Sequence, residues 1–290
     1  MIRTIGDTVV AFDCEWIPDV AAARFLERDA ALATDEQCLE ILWLKNDATE
    51  ENPHPFVKFS QSCLVSIAMM TRKAPASSGL PPELSLSWLP KDYSDKSLFD
   101  EKQIVSNFLT AIERRKPQLV GFNSKNSDLR VLMQRALVLG IPAKGFLERS
   151  KKPWSGYDYF ARDNDGSIDL MELITGVYNR AAAVNLNTIC SLCGIPGKFD
   201  SHGDEVFDLW QAGKVEQVLQ YNCYDAISTY LLWLRLTWIS GTMSTLQYED
   251  EVGYTKDFLM GLCDNPETAF IEKYLAEWDR LTTLYESQRN

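Results

Sequence analysis

The sequence predicts an α/β protein, because short apolar, β-branched runs alternate along the chain with segments of helical periodicity. Residues 8–12, Thr-Val-Val-Ala-Phe, form the first of these runs, and residues 63–69 form the second. Residues 102–115, in contrast, place their apolar side chains at the spacing of one helix face. Of the 290 residues, 46% are hydrophobic and 24% are charged, which is typical of a folded chain with a sizeable core.

The individual elements follow from local sequence signals. We expect strands where β-branched or alternating apolar residues cluster, at residues 8–12, 63–69, 84–89 and 119–122. We expect helices where apolar residues recur at helical spacing, at residues 102–115, about 128–139 and about 215–238. Residues 167–169 lead into a further helix, because Asp169 and Glu172 have the spacing of a helix cap.

We predict that residues 1–240 form one domain and that residues 241–290 form a C-terminal extension. Residues 18–50 have mixed composition, with helical spacing at Cys38, Ile41 and Leu42, and are interpreted as an insertion in the domain. The extension is acidic, carries about half of the net charge of −12, and contains an amphipathic stretch at about 267–285. It is expected to be helical and either packs back on the domain or meets a partner protein.

The composition also argues against several classes of protein. The chain has no uninterrupted run of 18 apolar residues, so neither a membrane span nor a membrane partner is expected. The seven cysteines lie in apolar contexts and are interpreted as reduced thiols of a cytoplasmic protein. Neither a Gly-x-Ser-x-Gly nucleophile motif nor a Gly-x-x-x-x-Gly-Lys phosphate loop occurs. The net charge of −12 disfavours tight binding to a nucleic-acid duplex.

Four carboxylates and one tyrosine are the strongest functional signal: Asp13, Glu15, Asp128, Asp225 and Tyr221. Asp13 and Glu15 are two residues apart in an extended segment and therefore leave the same face. Tyr221 and Asp225 are four residues apart on the last predicted helix of the domain, so they share a face too. Several carboxylates around one point require a cation, and hard oxygen ligands suit Mg²⁺ or Mn²⁺. The cluster therefore predicts a site for phosphate-ester chemistry.

Most of these residues also have an ordinary structural interpretation, and a tyrosine at the position of Tyr221 is more often a core residue than a catalyst. Asp13 and Glu15 could simply end a strand in solvent, and Asp128 could stabilise the start of a helix. Asn123 either satisfies backbone groups of a turn or bonds to the terminal nucleotide of a substrate. The basic and aromatic loop of residues 149–160, which includes Lys152 and Trp154, either holds a single strand or is a solvated loop.

Cys190 and Cys193 could suggest a zinc site together with His202. The chain has no second cysteine pair at the spacing of a zinc site, and Leu192 lies between the two thiols. We therefore interpret both cysteines as helix packing residues.

Three blocks of the sequence resemble the exonuclease motifs of the DEDD superfamily: VVAFDCEW (residues 9–16), LVGFNSKNSDLRVLMQRAL (119–137) and YNCYDAISTYLLWLR (221–235). The Tyr-x-x-x-Asp pattern of the third block is typical of the DEDDy branch. The chain is similar to predicted 3′–5′ exonucleases related to the proofreading domain of family-B DNA polymerases. The similarity extends over about residues 8–236.

This resemblance implies a fold and a site. The fold would be RNase H-like, with a mixed five-stranded sheet flanked by helices. The catalytic site would use two Mg²⁺ or Mn²⁺ ions. The implied ligands are Asp13, Glu15 and Asp225 for one ion and Asp13 and Asp128 for the second, while Tyr221 orients the attacking water. The residues expected to contact the substrate are Cys14, Trp16, Asn123, Lys152 and Trp154.

The sequence therefore predicts that residues 1–240 are a metal-dependent 3′–5′ exonuclease domain. It would hydrolyse phosphodiesters at single-stranded 3′ ends of DNA or RNA and release nucleoside monophosphates. Two alternatives stay open. One is a non-catalytic nucleic-acid or protein interaction module that retains the fold. The other is an exonuclease subunit of a polymerase, a repair or an RNA-processing complex, with the extension 241–290 as its docking surface.

Overall fold

The computed structural model describes residues 2–75, 77, 80–91, 99–149, 151–152, 156–161, 164–176, 183–197 and 206–289. Within this part of the chain, five strands form one mixed sheet: β1 (Thr8–Pro18), β2 (Ser62–Lys73), β3 (Glu83–Leu89), β4 (Gln118–Gly121) and β5 (Ser167–Asp169). Their order is β3-β2-β1-β4-β5. β2 is antiparallel to β1 and β3, whereas β4 is parallel to β1 and β5. This sheet confirms the predicted α/β class with a mixed five-stranded sheet.

The helices flank the sheet and connect its strands. Their bounds are α1 Val20–Leu26, α2 Asp35–Lys45, α3 Glu101–Arg115, α4 Asp128–Leu139, α5 Lys144–Leu147, α6 Leu170–Thr175, α7 Leu186–Leu192, α8 Val206–Gln211, α9 Val215–Ile239, α10 Thr245–Leu262 and α11 Ile271–Arg289. Short 3-10 helices lie at Arg28–Leu32 and Phe59–Gln61. The helices expected at 102–115, 128–139 and 215–238 are confirmed within one residue at each end. None of the described helices is both long and apolar enough to cross a membrane.

The central strand β1 separates two apolar layers. Val9 and Ala11 belong to the cluster that contains the buried face of α9. Val10 and Phe12 point to the opposite side and pack with the apolar faces of α3 and α4. This two-residue alternation is what an extended chain produces, and it fixes which side chains of β1 face α9.

The acidic segment 241–290 packs on the layer that contains α9. Leu259 of α10 and Tyr274 of α11 are fully buried in the same cluster as Val9 and Ala11. Arg72 of β2 donates two hydrogen bonds to the buried carboxylate of Glu251, one of them from Nε to Oε2 at 2.8 Å. The single amphipathic stretch expected at about 267–285 is therefore only part of the helical structure. α10 was missed because its acidic residues 249–251 look like solvated chain, although Glu251 is paired in the interior.

Residues 18–50 form a small helical unit. α1 and α2 pack against each other through Ala22, Ala23, Cys38 and Leu42. Arg135 of α4 bonds with Nη2 to Asp19 at 2.9 Å, immediately before α1. The helical spacing at Cys38 and Leu42 is confirmed, because both side chains are fully buried.

Candidate metal centre

Three carboxylates from two elements meet on one face of the sheet, where the central strand β1 continues beyond its pairing with β4. Asp13 and Glu15 continue the face of β1 that packs on α9, because they follow Val9 and Ala11 at two-residue steps. α9 supplies Asp225 from the opposite side, and this side chain is only 3% exposed. One oxygen from each carboxylate lies within 4.8 Å of the other two. The structure thus brings together three of the four predicted acidic ligands.

The orientation of Asp13 depends on a residue that sequence reasoning missed. Asn222 of α9 donates from Nδ2 to Oδ2 of Asp13 at 2.7 Å. Its Oδ1 accepts a hydrogen bond from the Ser66 hydroxyl on β2 at 2.8 Å, and Asn222 is fully buried. Because this hydroxyl occupies the amide oxygen, the amide nitrogen has to face Asp13. The available signal was the asparagine itself, which is a poor helix former in the middle of an apolar helix.

Asp128 reaches the same cleft from the other layer. It is the first residue of α4, and its Oδ1 accepts the Cys14 N–H of β1 at 3.0 Å. Its Oδ2 accepts the Ser127 hydroxyl at 2.6 Å. Burial raises the pKa of Asp128 to about 6, although these two hydrogen bonds oppose the shift. Asp128 lines the cleft with the other three acids but is not one of the three whose oxygens lie within 4.8 Å.

The turn between β4 and α4 carries Asn123 and Asp128 and is held in a strained conformation. Asn123 has φ +60°, and Gly121 packs so closely on the turn that a Cβ there would lie 2.4 Å from Cβ of Ser124. The two carboxylate oxygens of Asp169 accept the N–H groups of Asn123 and Lys125, both at 3.0 Å. Asp169 also accepts the Glu172 N–H at the start of α6, as predicted for a cap. Its second role, holding this turn, was not anticipated.

Tyr221 lies one turn before Asp225 on α9 and is 5% exposed. It belongs to an apolar cluster with Ile17 of β1 and with Val206 and Trp210 of α8. Of the described residues that line the cleft, Asp225 is one and Tyr221 is not. Tyr221 is thus one helical turn from Asp225, as predicted, but its side chain packs against α8 and does not line the cleft.

A cleft of about 1240 Å³ opens at the acidic cluster. Trp16 and Asn123, two of the expected substrate contacts, line it. Cys14 lines it too, but its side chain is 3% exposed and packs in the core with Phe12. Lys152 is exposed and is not among the described lining residues. Trp154 lies outside the described residues.

The side chains present fit a hard divalent cation. Asp13, Glu15 and Asp225 offer only carboxylate oxygens, which are the ligands preferred by Mg²⁺ and Mn²⁺ and not by soft metals. In the part of the chain that the structure describes, they are the one group of three or more acidic, histidine or cysteine side chains close enough to hold an ion. Cys190 is fully buried in the apolar cluster around α9, which agrees with a packing role. His202 lies outside the described residues.

Comparisons with known proteins identify a family for this chain. A family model described as a predicted 3′–5′ exonuclease related to the exonuclease domain of PolB matches residues 54–278. The match contains Asp128, Tyr221 and Asp225 and begins after β1, so Asp13 and Glu15 lie outside it. No curated protein matches the chain.

One similar solved structure is that of the family B DNA polymerase from the hyperthermophilic archaeon Pyrobaculum calidifontis. The sequence identity is 16% and the TM-score is 0.43. The similar region covers 79% of this chain but only 24% of the polymerase chain.

Proposed function

This chain belongs to the family of predicted 3′–5′ exonucleases related to the exonuclease domain of PolB, and we propose that it removes nucleotides from single-stranded 3′ ends with the help of divalent metal ions. The family match confirms the relationship to these exonucleases that the sequence blocks predict. The proposal goes further, to a reaction and its residues. The observation that carries it is the group of three carboxylates, Asp13, Glu15 and Asp225, in the lining of a large cleft.

The acidic residues would hold two Mg²⁺ or Mn²⁺ ions. Asp13, Glu15 and Asp225 would hold one ion, and Asp13 with Asp128 would hold the second. When bound, the ions supply Lewis-acid stabilisation of the attacking and leaving oxygens in phosphodiester hydrolysis. The protein's contribution is to fix the ligands, and the hydrogen bond from Asn222 to Asp13 supports such a role. Nucleoside monophosphates would be the products.

The remaining site residues would bind and orient the substrate. Trp16 and Asn123 line the cleft and are retained as substrate contacts, with Cys14 contributing its backbone. Tyr221 would orient the attacking water, a role carried by the resemblance of the third block. Lys152 and Trp154 would contact the strand farther from the cluster. The proposal includes either DNA or RNA as substrate and a replication, repair or RNA-processing context. The seven free thiols support a cytoplasmic location.

Substitution of the ligands tests this function. Asp13→Ala and Asp225→Ala should abolish the Mg²⁺- or Mn²⁺-dependent shortening of a labelled single strand while the far-UV circular dichroism stays native. Tyr221→Phe should slow the reaction without changing metal affinity. The matched control is Asp208→Ala, an exposed acid that lines the cleft outside the three-carboxylate group and should leave metal affinity unchanged. Full activity of Asp13→Ala or Asp225→Ala would reject the proposed chemistry, and an unchanged rate of Tyr221→Phe would reject its water-orienting role.

A further inference from the structure

One wall of the cleft consists of aromatic side chains that the acidic cluster does not use. The Trp43 ring of α2 stacks on the His54 ring at a centroid distance of 4.0 Å and an interplanar angle of 29°. Phe207 of α8 meets Trp43 edge-on at 5.5 Å. A second group joins β1 to the segment before β2, because Phe59 contacts both Trp16 and Phe56 edge-on at 5.4 Å. All six rings line the same cleft as Asp13 and Glu15.

Core packing accounts for Trp16, Phe59 and Phe207, which lie against buried clusters, but not for the other three rings of this wall. Phe56 is 64% exposed and His54 is exposed too, although an aromatic ring in a folded interior is normally covered. The contrast with Phe59 is informative, since that ring is half-buried between its two neighbours. Exposed rings grouped in a cleft are typical of a binding surface.

The segment that carries these rings is tied down at both ends. Asn46 follows α2 and donates from Nδ2 to the Leu42 carbonyl and to Oε1 of Gln61, both at 2.8 Å. At the other end, Ser62 donates its hydroxyl to the Lys58 carbonyl at 3.1 Å. Buried Arg135 anchors the start of the whole insertion through Asp19. The wall is therefore preorganised, which lowers the entropy lost when a ligand binds.

The charge of the cleft restricts which ligand can use the wall. The carboxylates among its described lining residues are Asp13, Glu15, Asp128, Asp208 and Asp225. A phosphate backbone gains nothing from these groups without metal ions, whereas the faces of nucleobases stack on aromatic rings regardless of charge. Because the wall and the acidic cluster line the same cleft, nucleotides next to a 3′ end held at the cluster would lie against the wall.

We infer that Trp43, His54 and Phe56 form a base-stacking platform that binds the unpaired nucleotides preceding the 3′ terminus. This inference rests on the proposed function and adds to it the part of the substrate that is recognised, namely the base faces. The platform accepts any base, since every base has a π face. The ligand is therefore a single strand, because paired bases in a duplex already stack on one another.

Binding of short labelled strands tests the platform directly. Fluorescence anisotropy is measured in Ca²⁺ with an oligo-dT strand, an oligo-rU strand, and an abasic strand with the same phosphates and no bases. Phe56→Ala and Trp43→Leu should each raise the Kd for oligo-dT about 5- to 150-fold, the equivalent of one lost stacking contact. The abasic strand should bind weakly and equally to all variants. The comparison of dT with rU shows whether one or both sugars are accepted.

Phe25→Ala is the matched control. Phe25 belongs to α1 of the same insertion and is 90% exposed, but it does not line the cleft, so its removal should leave every Kd unchanged. Equal affinity of wild type for the abasic and dT strands would overturn the inference, as would an unchanged Kd in Phe56→Ala. Cleavage in Mg²⁺ is measured on the same proteins. Cleavage by wild type with no effect of Phe56→Ala on the Kd rejects the platform alone, whereas absence of cleavage rejects the proposed function.

Discussion

The hydrogen bond between Asn222 and Asp13 gives the sharpest prediction about the metal centre. Asn222→Leu keeps a side chain of similar size but removes the donor that lies 2.7 Å from Oδ2 of Asp13. It also removes the acceptor of the Ser66 hydroxyl. Ser66→Ala is the matched variant, because it removes only the hydroxyl that orients the amide and leaves the donor to Asp13 in place.

The magnitudes follow from the charge of the acceptor. A hydrogen bond to a carboxylate contributes about 1.5–3 kcal/mol, which corresponds to roughly 10- to 100-fold in affinity. Asn222→Leu should therefore weaken Mn²⁺ binding about 10- to 100-fold. Ser66→Ala should weaken it roughly fivefold or less, the equivalent of about 1 kcal/mol. Asn222→Leu should also lower the free energy of unfolding by about 1–3 kcal/mol, because the buried Ser66 hydroxyl loses its acceptor.

Calorimetric Mn²⁺ titration and urea unfolding separate the two effects. Ligand positioning predicts a larger loss of metal affinity in Asn222→Leu than in Ser66→Ala, with the fold retained in both variants. If Asn222→Leu loses stability but binds Mn²⁺ as tightly as wild type, the amide is only a packing residue. The assigned role of positioning Asp13 would then be wrong.

Three further predictions concern the turn, the C-terminal helices and pH. Gly121→Ala should push away the turn at Ser124, lower the free energy of unfolding by about 1–3 kcal/mol and reduce the rate of cleavage. Unchanged cleavage kinetics would contradict the close packing of Gly121 on Ser124. Glu251→Ala should lower the free energy of unfolding in urea by about 3–5 kcal/mol, because it leaves Arg72 buried without its partner. The double variant Arg72→Met/Glu251→Leu should recover most of this loss, and no recovery would contradict a buried pair. The pKa of Asp128 is raised to about 6 in the folded protein, because burial favours the protonated carboxyl. The protonated carboxyl therefore stabilises the metal-free fold. This contribution is fully present below the unfolded pKa of about 4 and is lost as the pH rises through 6. Urea unfolding in EDTA should therefore show wild type losing roughly 3 kcal/mol relative to Asp128→Asn over this window, and a constant difference would refute the shift.

Elements with strong local periodicity could be predicted from the sequence, whereas short elements such as β5, α5, α7 and α8, and an element in conflict with its local signals, could not. α3, α4 and α9 combine a long apolar face with clear end signals, and their bounds were predicted closely. α10 was missed because its acidic residues 249–251 and its two glycines suggest solvated chain. The partner of Glu251 is Arg72, 179 residues away, and such a pair is visible only in three dimensions.

In the candidate site, too, local features could be predicted from the sequence and contacts between distant elements could not. Asp13 and Glu15 could be paired from their spacing on a strand, because local geometry decides which face each side chain leaves. Asp225, on a different element, could be placed with them only from the resemblance of the third sequence block. Asn222 and Asp169 could not be given their observed roles, since each acts through a contact with a different element. The Asp169 carboxylate has the predicted cap position, but it also accepts N–H groups from the turn after β4.

In the proposed reaction, the acidic cleft removes nucleotides one at a time from a 3′ end. The most direct measurement follows a 5′-labelled single strand in Mg²⁺ or Mn²⁺ with time, resolves the shortened products on a gel, and identifies the released molecule by mass. We expect a regular ladder that shortens from the 3′ end, nucleoside monophosphate as the product, and an intact strand in EDTA. Internal cuts, shortening from the 5′ end, or a strand that stays intact at saturating metal would contradict the proposed reaction.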